Sequence, residues 1–135
     1  ISMNCRTDSS HGRAQLTWSA AGELIDGPNF PNGLIDPGCQ GSIVSVPTDT
    51  NPGTTLYLSN DDSTSGREKL SIKSSTDNGV TWDSAADGKD SVLVWDGPTA
   101  YSQLVVGTDG TTLGVLFEVG VKSSYEGIGF AKFEM

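Results

Sequence analysis

The sequence predicts an all-β chain built from β-propeller blades, on three observations. Short apolar and β-branched runs recur between turn residues. The octapeptide Ser75–Trp82 has the form of a blade hairpin, and a degraded copy of it occurs earlier, at Ser19–Glu23. Seventeen Gly and six Pro interrupt the chain too often for long helices, and its 135 residues allow at most one ordinary domain.

The expected strands, in order, are Ser2–Arg6, Arg13–Trp18, Ser42–Val46, Thr55–Ser59, Lys69–Ser74, Ser91–Trp95, Ser102–Val106, Thr112–Glu118 and Gly127–Phe133. Several alternate, as in Leu70-Ser71-Ile72-Lys73 and Phe130-Ala131-Lys132-Phe133, which predicts one buried and one wet face. Asp-Gly, Asn-Gly and Pro-Gly fill the connections. So many short strands suit a β-sandwich, or two and a half to three blades at ~40–45 residues each.

Ser75-Thr76-Asp77-Asn78-Gly79-Val80-Thr81-Trp82 tips the balance to blades, because it reads S-x-D-x-G-x-T-W, the Asp-box pattern. Asp77 can accept hydrogen bonds from backbone N–H groups of its own turn. Asn78-Gly79 can take the positive φ a tight hairpin needs, and Trp82 can plug the hairpin onto an apolar layer. Ser19-Ala20-Ala21-Gly22-Glu23 keeps the serine and a turn glycine but has Ala21 in place of the aspartate. It lies 56 residues before Ser75, one long blade away. The expected units are 1–37, 38–88 and 89–135. Ile1-Ser2-Met3-Asn4-Cys5-Arg6 reads as the middle of a strand, as if cut from something longer.

The net charge of −9 argues against nucleic acid, whose phosphates need clustered Lys and Arg. No apolar run reaches the ~18 residues of a membrane span, and the N-terminus lacks a signal-peptide layout. With two cysteines, Cys5 and Cys39, and His11 as the one histidine, no zinc pattern exists. A Cys5–Cys39 disulfide and two buried free thiols are both open.

Several segments together resemble the C-terminal half of the catalytic domain of the sialidases (exo-α-neuraminidases). Asn4-Cys5-Arg6 resembles their Asn-x-Arg segment, and Pro37-Gly38-Cys39-Gln40-Gly41-Ser42 their Gly-Cys-Gln-Gly-Ser loop. Ser65-Gly66-Arg67 stands 15 residues before the Asp-box Trp82, the family's spacing. Ala100-Tyr101-Ser102-Gln103-Leu104 resembles the segment with the catalytic tyrosine. Gly114-Val115-Leu116-Phe117-Glu118 resembles the Leu-Tyr-Glu strand, with Phe117 for the usual tyrosine, and Ile128-Gly129-Phe130-Ala131 the strand that closes the propeller. The resemblance implies a six-bladed propeller, with residues 1–135 supplying about the last three blades of a single domain.

It also implies the chemistry. Arg6 and Arg67 would be the second and third of three arginines that bind the sialic acid carboxylate, since planar guanidinium groups pair with carboxylates in a geometry lysine cannot copy. Tyr101 would be the nucleophile. Sialidases depart from the usual carboxylate nucleophile of retaining glycosidases, because the substrate's own carboxylate on the reacting carbon repels an anion. Glu118 would hold the first arginine of the triad. Arg13 falls outside the motif and reads as structural, and Tyr57 and Tyr125 read as half-buried strand tyrosines. Gln40 and Ser42 would approach the glycan side of the pocket.

The first arginine, the acid/base aspartate and the glutamate that activates the tyrosine precede the Asn-x-Arg segment in that family. An N-terminal partner segment, on a separate chain or missing from this one, is therefore expected, and the 135 residues alone are expected to be inactive. No metal or organic cofactor is required. The substrate would be a sialylated glycan, and a secreted or extracellular setting is favoured. The rival readings are a trans-sialidase, a non-catalytic sialoglycan-binding propeller, and a propeller with unrelated ligands.

Overall fold

The computed structural model describes residues 1–8, 12–48, 53–83 and 91–135. His11 and the expected boundary between units two and three, at 88/89, lie outside the described residues. Nine strands are described: β1 (Ser2–Cys5), β2 (Ala14–Trp18), β3 (Leu24–Asn29), β4 (Ser42–Pro47), β5 (Thr54–Asp61), β6 (Glu68–Ser75), β7 (Val92–Val106), β8 (Thr112–Val119) and β9 (Gly127–Glu134). All pairings are antiparallel between sequence neighbours, β1-β2-β3 in one sheet and β4 through β9 in order in another.

The second sheet is two blades joined through β7. The first half of β7 pairs with β6, ending at Pro98 opposite Glu68. Its second half, from Thr99, pairs with β8. One continuous strand is therefore the outer edge of one blade and the inner strand of the next. The sequence runs Ser91–Trp95 and Ser102–Val106 are the two halves, and Asp96–Tyr101 between them stays extended. The Thr99 N–H donates to the Arg67 carbonyl at 3.0 Å, and the Gly120 N–H to the Pro98 carbonyl at 3.1 Å, which holds the crossing in place.

Strand β3 corrects the sequence reading, which had no strand there. Its sequence, Leu-Ile-Asp-Gly-Pro-Asn, looks like a turn. The structure absorbs Gly27-Pro28 as a bulge on an edge strand, with Thr17 opposite Asp26 and Gln15 opposite Asn29. An edge is where a residue without an N–H costs no ladder bond.

The middle blade is buried on both faces. Leu56 and Leu58 of β5 join Leu34 and Trp82 on the side of the first sheet. Leu70 and Ile72 of β6 join Leu104, Leu113, Val115 and Phe117 of the third unit on the other side. The expected wet face of β6 is therefore absent: Ser71 and Lys73 are as buried as their apolar neighbours. Lys73 is tolerated because its Nζ donates to Asp62 Oδ1 at 2.6 Å and to the Gly33 carbonyl. Burial nonetheless holds its pKa below the ordinary lysine value.

The Asp-box forms the turn after β6. Asp77 Oδ1 accepts from the Thr81 N–H at 2.9 Å and from Ser75 Oγ at 2.8 Å, while Oδ2 accepts from Thr81 Oγ1 at 2.6 Å. Asn78 and Gly79 both have positive φ, 61° and 88°. Trp82 is buried, and its Nε1 donates to the Gly79 carbonyl at 3.0 Å and to Gln15 Oε1 on β2 at 3.4 Å, so the turn also staples the two sheets. The degraded copy occupies the same position in the first sheet, between β2 and β3. There the Ser19 hydroxyl accepts from the Glu23 N–H at 3.1 Å.

Candidate active site

Arg6 follows β1, Arg67 ends the β5–β6 connection, and Tyr101 lies on the inner half of β7. Of the three, the tyrosine alone lies within a strand; Arg6, expected as the last residue of the first strand, falls just past its end. They nevertheless come together. Arg6 and Tyr101 line one cleft of about 340 Å³ with Asn4, Arg13, Gln40 and Gly41. The Arg67 guanidinium carbon sits 5.6 Å from the centroid of the Tyr101 ring, over its face. Tyr101 is 45% exposed, although the neighbouring Ala100 and Ser102 are buried. Asn78 and Gly79 of the Asp-box line a different cleft, with residues of β2 and β3.

Glu118 on β8 accepts from the Tyr101 backbone N–H through Oε2 at 3.1 Å. It thereby fixes the strand segment that carries the phenol, a contact the sequence did not announce. Gln40 backs the same segment: its Oε1 accepts from the Ser102 N–H at 3.0 Å. Ser42 does not approach the cleft as expected. It is buried, and its hydroxyl accepts from the Leu104 N–H at 3.0 Å and Gln103 Nε2 at 3.1 Å, which stitches β4 to β7 where no ladder joins these inner strands.

Arg13 is buried in a structural ion pair with Asp36, as its place outside the motif suggested. It also donates to Asn4 Oδ1 and, at 2.9 Å, to the Cys39 carbonyl. Asp36 in turn accepts from the Gly38 and Cys39 N–H groups at 2.6 and 2.8 Å, so the Pro37-Gly38 turn is tied through Asp36 to Arg13, which lines the cleft. Arg67 is not taken up by its neighbour Glu68. That carboxylate accepts instead from Ser63 Oγ at 2.9 Å and Ser65 Oγ at 2.8 Å.

Cys5 and Cys39 are both free thiols. Cys39 and Asp61 are fully buried together behind the site. Burial, and then the Asp61 charge, push the Cys39 thiol up to about 12. Burial also raises Asp61 to about 6, against the opposing effect of the Thr99 hydroxyl, which donates to it.

Tyr125 is the residue the sequence reading misplaced. It is not a half-buried strand tyrosine but lies 64% exposed in the β8–β9 loop, and its hydroxyl accepts from Arg67 Nη1 at 2.9 Å. No periodicity marks it, since the loop is irregular and its partner is 58 residues away.

No family model and no curated protein matches the chain. Solved structures do. The Hadza microbial sialidase Hz136 is 30% identical with a TM-score of 0.78, over 99% of this chain and 25% of that one. The intramolecular trans-sialidase of Ruminococcus gnavus, solved with oseltamivir carboxylate, is 20% identical with a TM-score of 0.72, over 99% and 30%. The leech intramolecular trans-sialidase is 23% identical with a TM-score of 0.70, over 98% and 21%. The chain thus spans between a fifth and a third of the length of each of these structures. It is part of a sialidase-type β-propeller, similar in structure to sialidases over almost all of its residues.

Proposed function

We propose that this chain supplies the nucleophile and two arginines of a retaining exo-α-sialidase. The observation that carries the reading is the Arg67 guanidinium over the Tyr101 ring, beside the cleft that Arg6 shares with Tyr101. In a chain of net charge −9, guanidinium groups gathered at one exposed tyrosine make a local anion site. A sugar whose anomeric carbon bears a carboxylate fits it: the guanidiniums take the carboxylate, and the carbon lies over the phenol.

In the first step the Tyr101 oxygen bonds to the anomeric carbon as the bond to the leaving glycan oxygen breaks. The phenol proton goes to a base, and the leaving oxygen takes a proton from an acid. In the second step water attacks the same carbon and gives a proton to the acid, now deprotonated, while the bond to the Tyr101 oxygen breaks and that oxygen takes its proton back from the base. Two displacements on one carbon retain its configuration. Glu118 keeps Tyr101 in place through the backbone.

The base, the acid and a third arginine would come from the other blades of the same propeller. The third unit leaves a face for them. Gln103, Leu116 and Phe130 form one cross-strand row, with Ile128 opposite Glu118 beside it. Leu116, Ile128 and Phe130 are each at least half exposed, and the first two line a cleft with Tyr101. Burying such a row against a neighbouring blade is what the opposite face of the same strands already does.

Proton NMR of the first product formed from an α-linked sialoside by the complete propeller tests the reading. The α-anomer of free sialic acid should appear first and then mutarotate. The β-anomer appearing first would remove the double-displacement mechanism, and with it the role of Tyr101.

A further inference from the structure

We propose that Tyr125, presented by the β8–β9 loop, is a positioning residue for the Arg67 guanidinium and so sets how tightly the site takes a carboxylate. The inference rests on the reading of Arg67 as a ligand-binding arginine.

A guanidinium binds a carboxylate by two parallel bonds only if its plane and its rotation in that plane are both fixed. The Tyr101 ring, its face 5.6 Å from the guanidinium carbon, restrains where the guanidinium sits but not how it is turned. The Tyr125 hydroxyl at the rim, 2.9 Å from Nη1, restrains the rotation and uses one of five N–H donors. The backbone carbonyl of Arg67, bonded to the Thr99 N–H, fixes the base of the side chain.

The loop is built to hold Tyr125 there. The Glu126 carboxylate accepts from the backbone N–H groups of Val121, Lys122 and Ser123, each at 2.9 Å. The Gly120 N–H anchors the loop to β7 at Pro98, and the Tyr125 N–H donates to Ser123 Oγ at 3.4 Å. A side chain at Gly120 has no room, because its Cβ would fall 1.8 Å from the Ser123 carbonyl oxygen. A loop ordered by its own backbone contacts spends little further entropy in presenting an exposed tyrosine to an arginine.

Isothermal titration of a non-hydrolysable sialic acid analogue into the complete propeller tests the inference. The variants are Tyr125→Phe, Glu126→Gln, the two combined, and Arg67→Lys. Tyr125→Phe should weaken binding roughly 2–12-fold, the net worth of one ordinary, solvent-exposed hydrogen bond. The loss should fall on Kd and KM more than on kcat, with the melting temperature held. Glu126→Gln should weaken binding in the same direction, and the double variant should lose less than the product of the two, since both act through one loop. Unchanged binding in Tyr125→Phe, with Arg67→Lys weakened, would overturn the inference and leave the reading of Arg67 intact. A lower melting temperature with unchanged Kd would overturn it too, as a structural role. Wild-type binding in Arg67→Lys, or none in the wild type, would remove that reading and the inference with it.

Discussion

The Arg67 guanidinium lies over the Tyr101 ring, 5.6 Å from its centroid, although the two residues are 34 positions apart in the sequence. Strand β7 makes this possible. It leaves the blade that holds Arg67 and enters the next blade already extended, and the Thr99–Arg67 backbone bond draws the two chains together just before Tyr101.

Replacing the two partners of that contact should separate binding from turnover. Tyr101→Phe removes the nucleophilic oxygen and keeps the ring under Arg67. In the complete propeller it should lose most of kcat and still bind a sialic acid analogue. Arg67→Lys keeps the charge but not the two-pronged geometry, and should weaken the analogue by on the order of 1–3 kcal/mol. Calorimetry and initial rates on both variants check this. Equal loss of analogue binding would make Tyr101 a structural tyrosine.

The Asp-box should govern stability and not the site. Trp82→Ala should cost about 3–5 kcal/mol, as large buried aromatics do. Asp77→Ala should cost about 1–3 kcal/mol, because the Ser75 and Thr81 donors lose their acceptor. Urea unfolding measures both. Analogue binding by the folded fraction should not change, since no residue of this turn lines the Tyr101 cleft.

Stability should fall with rising pH in a window set by Asp61. Its folded pKa is raised to about 6 from an ordinary 3.8, so the folded chain binds that proton more tightly than the unfolded chain. The contribution is complete below the ordinary value and is lost as pH rises through the folded one, on the order of 2–3 kcal/mol in all. Asp61→Asn should flatten the stability profile between those two pH values. An unchanged slope would place the titration elsewhere.

The residues that gather at the candidate site could be nominated from the sequence because they sit in short motifs: Arg67 at a fixed distance before the Asp-box, Tyr101 in Ala-Tyr-Ser, Glu118 late in an apolar strand, although its bond to the Tyr101 N–H is not the contact expected of it. The residues that escaped did so for physical reasons. Tyr125 reaches Arg67 from an irregular loop. Lys73 alternates like a wet-face residue, yet is buried because β6 lies between two other units. Leu24–Asn29 is a strand only because an edge can absorb Gly27-Pro28. In each case the outcome depends on a neighbour that the local sequence does not contain.

The 135 residues alone should not turn over substrate. The base and the acid, each worth ~10²–10⁴-fold in rate, are proposed to come from the other blades. A fluorogenic α-sialoside assayed with the isolated chain, and with the chain completed by the remaining blades, separates the cases. Comparable turnover by the isolated chain would show that the catalytic groups are misplaced.

The most direct test is to trap the intermediate on Tyr101. A sialic acid with fluorine beside the anomeric carbon and a good leaving group slows the breakdown of a glycosyl–enzyme more than its formation, by destabilising the oxocarbenium-like transition state. Peptide mass spectrometry of the complete propeller after exposure should find the added sialyl mass on Tyr101, and none in Tyr101→Phe. An adduct on another residue, or full hydrolysis of natural substrate by Tyr101→Phe, would contradict the account.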